Sequence, residues 1–203
     1  MCIRDRVSGE GVQSNQFLII DHDQYLLLDP GGDLTYVPLT MELSRHIPVQ
    51  ELTYIFASHQ DPDIIASLDK WLLHTRAQVI CSKLWARFLP HLTANYLALS
   101  RGINTYERII ALPDRGQSFA VGRCTLKAVP AHFLHSVGNF QLYDPLSKIL
   151  FSGDMGASML DDSGPVADFA AHVPSMLGFH RRYMASNKAC LLYTSDAADD
   201  LLC

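Results

Sequence analysis

Cysteine is scarce, and none of it is arranged as a framework. Five cysteines stand among 203 residues, and no two form a Cys-x-x-Cys pair. That spacing suggests neither a zinc knuckle nor a disulfide framework and fits a reducing cytoplasm. Long apolar runs are missing too. None reaches the roughly 18 residues a membrane helix requires, and the N-terminus has no signal peptide's apolar core. Charge of one sign is nowhere concentrated. Charged residues make up 18% of the chain and the formal net charge is −5, so nothing electrostatic points to a nucleic-acid partner. No repeat or low-complexity stretch occurs. What is present is a chain 48% hydrophobic, long enough to bury one substantial core and hence to form one domain. The expectation is a soluble, unexported, cytoplasmic protein with no membrane partner.

The two ends differ from the rest. Residues 1–6 are Met-Cys-Ile-Arg-Asp-Arg, and residues 190–194 are Cys-Leu-Leu-Tyr-Thr. One codon choice for the first, ATG TGT ATA AGA GAC AG, has a reverse complement that gives Cys-Leu-Leu-Tyr-Thr in another frame. The string resembles a transposon-end adapter used in shotgun sequencing. Residues 1–6 and 190–203 are therefore expected to be non-native scar, and residues 7–189 a domain incomplete at its C-terminus. On that expectation Cys81 and Cys124 are the native thiols.

Short apolar runs alternate with turns through the first half. Phe17–Ile20 and Tyr25–Leu28 flank Asp21-His-Asp-Gln24, a polar tetrad suited to a hairpin, and Asp29-Pro-Gly-Gly32 ends the second run. Leu52–Ala57 is a β-rich run that delivers the polar segment Ser58–Asp63. Apolar residues at 64, 65, 68, 72 and 73 predict a helix over Ile64–Thr75, with Asp63 as its N-cap. Gln78–Ser82 has the pattern of a buried strand, and Leu84–Leu99 that of a helix broken at Pro90. Phe119–Val129 predicts a strand pair turned at Gly122-Arg123. Phe140–Tyr143 is expected to pair with Ile149–Phe151 across Asp144-Pro145, and helix is expected from Ala167 onward. Two groups of strands with helices between them are compatible with an α/β fold, an αββα sandwich.

Three polar clusters each follow a strand-like run, where a rigid sheet positions functional groups. They are Ser58-His-Gln-Asp-Pro-Asp63, Ala131-His-Phe-Leu-His-Ser136 and Ser152-Gly-Asp154. Each supplies imidazole or carboxylate, which suit iron, manganese or zinc. His59, Asp61 and Asp63 lie at i, i+2 and i+4, so an extended segment projects all three to one side. The bland alternative is a solvated turn with a helix cap. His22 reads as a solvated residue of the hairpin turn, His46, His74 and His91 have no clustered partners, and Trp71, Trp85 and Phe88 are most simply core or interface. His132 is a candidate for orienting a ligand or for ligation itself.

Taken together, the clusters resemble the metallo-β-lactamase superfamily, and within it the oxygen-binding di-iron or flavodiiron branch, over roughly residues 12–189. That branch has a His-x-Glu-x-Asp segment, a later His, a bridging Asp and a final His near the domain's C-terminus. His59 and Asp63 match directly, and Asp61 takes the Glu position with a carboxylate one methylene shorter. His135 in Leu134-His-Ser136 matches the later His, with His132 its competitor, and Asp154 matches the bridging Asp. The resemblance implies that His59, Asp61 and His135 bind one iron, Asp63 and the final His the other, and that Asp154 bridges. Neither His172 nor His180 stands in the Pro-x-His-Gly context of that final His, so it is expected beyond the truncation.

Hydrolytic members instead resemble His-x-His-x-Asp-His, with imidazoles at the positions of Asp61 and Ile64. Ile64 cannot bind a metal, and a carboxylate in place of a neutral nitrogen favours iron over zinc. The implied function is binding or reduction of O2 or NO at a non-haem di-iron site, as an oxygen binder or an oxidoreductase. The implied partners are an electron-donor protein or flavin domain, and the resemblance leaves a homodimer open. The alternative is a hydrolase with two zinc ions, acting on an ester, thioester or phosphodiester.

Overall fold

A computed structural model of the chain describes residues 2–4, 14–93, 99, 101–160, 164–186 and 188. The part of the expected helix at 94–98 and most of the two terminal segments lie outside the described residues. Two sheets form the frame. The first contains β1 (Cys2–Arg4), β2 (Asn15–Asp21), β3 (Gln24–Leu28), β4 (Tyr54–Ala57), β5 (Gln78–Ser82) and β6 (Ile109–Leu112), side by side in chain order. Its first three strands pair antiparallel and its last four parallel. The second contains β7 (Gln117–Val121), β8 (Cys124–Pro130), β9 (Phe140–Asp144) and β10 (Ile149–Phe151), antiparallel throughout.

The two-residue alternation of side chains decides what each sheet face covers. Leu27, Ile55, Val79 and Cys81 point to a helical layer that includes Leu39 and Leu43 of α1 (Tyr36–Leu43) and Trp71 and Leu72 of α3 (Leu68–His74). Leu26, Leu28, Phe56 and Ile80 point the other way, against Leu126, Ala128, Phe140 and Leu142 of the second sheet. Strands β3 to β5 therefore bury both faces, which is why their sequences are continuous apolar runs instead of alternating ones. Among the described residues no helix is long and apolar enough to cross a membrane.

The hairpins fall where expected: Asp21 pairs with Gln24, and Phe151 with Leu142. Three helical expectations need correction. The helix over Ile64–Thr75 is split into α2 (Pro62–Ile65) and α3. Ser67, at the break, donates its hydroxyl to Gly31 O at 2.7 Å, and its amide to the same oxygen at 3.3 Å. Asp63 is not the N-cap. Asp61 holds that place in an extended conformation, as a residue before proline prefers, and Pro62 opens the helix. The stretch from Leu84 gives one turn, α4 (Lys83–Ala86), and then a 3-10 turn over Leu89–Leu92. There the Trp85 indole donates to Val137 O at 2.8 Å, so the segment serves a tertiary contact.

The last described helix, α5 (Phe169–Tyr183), starts two residues later than expected because Asp168 caps it by accepting from Ala171 N. Strand β6 was not anticipated, and its four residues are visible only as a partner for β5. Strand β1 falls in the segment with scar-like sequence. It pairs through backbone groups that any sequence offers.

Candidate metal centre

Strand ends from both sheets meet at one place. Strand β4 ends at Ala57 and releases Ser58–Asp63, β8 ends at Pro130 before the loop carrying His132 and His135, and β10 ends at Phe151 before Asp154. The sheets are pinned together there by Phe140 N donating to Ser58 O at 3.0 Å. The His135 loop is tight. Phe133 and His135 both take left-handed φ values, 65° and 79°, in a conformation that costs a non-glycine residue of order 1–3 kcal/mol. Phe133 N donating to Ser136 O and Asn139 Nδ2 donating to Leu134 O hold the loop in that shape.

The result is a cluster of His59, Asp61, His135 and Asp154, whose ligand atoms all lie within 4.8 Å of one another. His135 Nε2 stands 2.8 Å from Asp61 Oδ2 and 3.3 Å from Asp154 Oδ2. His59 Nε2 is 3.6 Å from Asp61 Oδ2 and 3.9 Å from Asp154 Oδ2, buried and with no hydrogen-bond partner. The hydrogen bond to His135 holds the Asp61 carboxyl below its ordinary range, and the same contact raises His135. Burial pushes Asp154 the other way, upward. Carboxylates and imidazoles facing inward around an orphaned ring nitrogen are the donor arrangement of a cation site.

Asp63 is exposed and outside this group of four. It lines a cavity of about 490 Å³ together with Asp154, Ile64, His172 and Phe179. His132 is turned away: its Nε2 bonds Asp114 O at 2.7 Å, and its ring packs edge-on against Phe140. His180 accepts from Gly156 N and bonds Met176 O, tying α5 to the loop that follows Asp154.

A family model described as ODP family beta lactamase matches residues 12–199. The chain belongs to that family. Its fold is similar to the chemotaxis sensor ODP solved as a peroxy di-iron species, at 40% identity and a TM-score of 0.79, over 95% of this chain and 77% of that one. It is also similar to the apo state of the chemotaxis sensor ODP from T. denticola, at 36% identity and a TM-score of 0.80, over 99% and 83% of the two chains. A flavoprotein from Thermotoga maritima, at 22% identity and a TM-score of 0.73, shares the fold over 93% of this chain and 46% of its own. An uncharacterized protein of Methanocaldococcus jannaschii is 28% identical over 144 residues, which are 71% of this chain and 34% of that protein. The chain thus spans about a third of that curated relative and less of another, 14%. The family assignment fits the expected metallo-β-lactamase sandwich of the oxygen-binding di-iron branch.

Within this ODP-family site, two supports escape a reading of the sequence alone. Asp29, in the Asp-Pro-Gly-Gly turn, is fully desolvated, which pushes its carboxyl up to about 6. It accepts from Ser58 N at 2.8 Å and from the Ser58 hydroxyl at 2.9 Å, and Ser58 Oγ lies 2.9 Å from His59 Nδ1. Because the Ser58 proton goes to Asp29, Ser58 Oγ accepts from His59 Nδ1–H, which leaves Nε2 as the lone-pair nitrogen facing the cluster. The available signal was the carboxylate directly after the apolar run 25–28, one strand away from His59.

The second support is aromatic. Phe179 and Tyr183 of α5 lie over the His135 ring at centroid distances of 5.9 and 5.8 Å. Nothing in the helix's own sequence singles out these two.

Proposed function

We propose that this chain is an oxygen-binding di-iron protein, which takes O2 or NO at a non-haem site. The observation that carries the reading is the buried, unpartnered His59 Nε2, set among His135 and two inward-facing carboxylates. Such a nitrogen is costly to leave without a hydrogen bond and is relieved by a cation. In this reading His59, Asp61 and His135 would hold one iron, Asp63 would serve the second, and Asp154 would be shared between them. Among the candidate ligands of this chain, carboxylates (Asp61, Asp63, Asp154) outnumber imidazoles (His59, His135), and Ile64 offers no donor, which favours a harder metal than zinc. Reduced irons supply electrons and open positions for a diatomic ligand.

The protein's own residues shape what can enter. Ile64, Phe151 and Phe179 give the cavity apolar walls, suited to a small neutral molecule. Ser58 and Asp29 fix the tautomer and orientation of His59. Without an electron donor the chain acts as a binder or sensor. Turnover calls for an electron-donor protein or flavin domain, and a homodimer is one way to bring such a group close. The sensor role is supported by the likeness to the chemotaxis sensor ODP at 40% identity. The scar-like ends belong to the same proposal: residues 1–6 and 190–203 are read as non-native.

The ligand assignment is tested by iron content after anaerobic loading and desalting. Asp63→Ala and Asp154→Ala are expected to lose iron relative to the wild type, and His132→Ala to retain it. Unchanged stoichiometry in Asp63→Ala would remove that residue from the ligand set. An optical response to air in the iron-loaded chain is expected. Ester hydrolysis by the zinc-loaded chain, with no such response, would transfer the case to the hydrolase.

A further inference from the structure

The segment between the first two ligands contains a residue that no ligand pattern uses. Gln60 Nε2 donates to Asp61 Oδ1 at 3.1 Å, and Gln60 Oε1 accepts from Ser136 Oγ at 2.5 Å. The orientation of the amide is fixed by chemistry. An ionised carboxylate only accepts, so the NH2 end must face Asp61, and the hydroxyl donor must meet the oxygen end. Ser136 is buried and directly follows His135 in the chain, while Gln60 directly follows His59. One amide therefore bridges the loop after β4 in one sheet and the loop after β8 in the other. It also occupies one oxygen of Asp61 and leaves the other, Oδ2, beside His135 Nε2.

We infer that Gln60 is a positioning residue that holds Asp61 as a one-oxygen metal ligand, with Ser136 locking the amide in place. The reasoning is geometric. An Asp side chain has one fewer torsion than Glu, and its carboxylate turns about a broad two-fold well, so either oxygen or both can face a cation. A hydrogen bond to Oδ1 removes that freedom. Metal sites depend on such outer contacts, whose loss costs about 10–100-fold in affinity. The inference rests on the metal-centre reading above.

Cobalt(II), added anaerobically to the intact chain, is the probe, because its visible bands report coordination geometry as well as occupancy. Gln60→Leu keeps the bulk and removes the amide. It is expected to weaken cobalt binding about 10–100-fold and to shift the bands, with the metal-free chain still unfolding cooperatively on heating. Ser136→Ala is expected to change both readouts in the same direction and by less. The double variant should match Gln60→Leu alone, because Ser136 acts through Gln60. Wild-type affinity and bands in Gln60→Leu would overturn the inference while leaving the metal centre intact. Additive losses in the double variant would overturn the link through Ser136. A wild-type chain that takes no cobalt would overturn the metal centre itself and this inference with it.

Discussion

At the scale of single residues, burial of charge is the main determinant. Asp29 has an ordinary carboxyl value of 3.8 and is pushed up to about 6 by desolvation. Between those values the folded chain holds a proton that the unfolded chain has released. Its contribution to stability is thus complete below 3.8 and is lost as pH rises through about 6. A rise of about two units corresponds to roughly 3 kcal/mol. Asp61, lowered, contributes stability above its ordinary value and loses it as pH falls, whereas His135, raised, loses its contribution as pH rises. Comparison with Asp29→Asn cancels those two. Denaturant unfolding of the metal-free chain at pH 4 and pH 7 should show Asp29→Asn gaining on the wild type by up to about 3 kcal/mol at the higher pH. Parallel behaviour of the two would refute the assignment. Of the candidate residues, His59, Asp61, His135 and Asp154, which the fold brings together, each stand after a strand-like run in the sequence, and Asp63, from the same segment as the first two, lies outside that group. Asp29, Ser58 and Gln60 were not legible there, because their roles arise from neighbours that only the folded chain supplies.

Among elements, the strands were more legible than the helices, and for a physical reason. β2, β3, β7, β8, β9 and β10 form hairpins whose turns are local, so sequence pattern and structure agree. The helix over residues 64–75 broke at Ser67 because that side chain is recruited by Gly31 O in a separate loop, a contact no periodicity reports. That loop also makes a testable hinge between elements. Gly31 has φ +81°, and a Cβ there would overlap Thr35 Oγ1, while Gly31 N donates to Ile64 O in α2. Gly31→Ala is expected to destabilise the chain by about 2 kcal/mol or more, from a disfavoured left-handed backbone plus the clash. Because Gly31 N donates to Ile64 O, next to Asp63, the same change should also weaken metal binding. A Gly31→Ala variant as stable as the wild type, by thermal unfolding, would contradict this account of the loop.

On the scale of the whole molecule, two sheets pack through Phe56, Phe140 and their neighbours and bring three loop clusters to one place. That arrangement was anticipated from strand grouping, and membership of the ODP family agrees with it. The sheet-to-sheet core fixes the strand ends from which the three candidate loops leave. The central claim is that the metal is a pair of irons that responds to oxygen. It is tested most directly by anaerobic titration of the purified chain with Fe(II), followed by admission of air with the optical spectrum recorded throughout. The account predicts a first iron bound tightly by His59, Asp61 and His135, a second held more weakly where this chain supplies only Asp63 and the shared Asp154, and new absorption on contact with oxygen. A chain that binds zinc but retains no iron, and whose spectrum is unmoved by air, would contradict it.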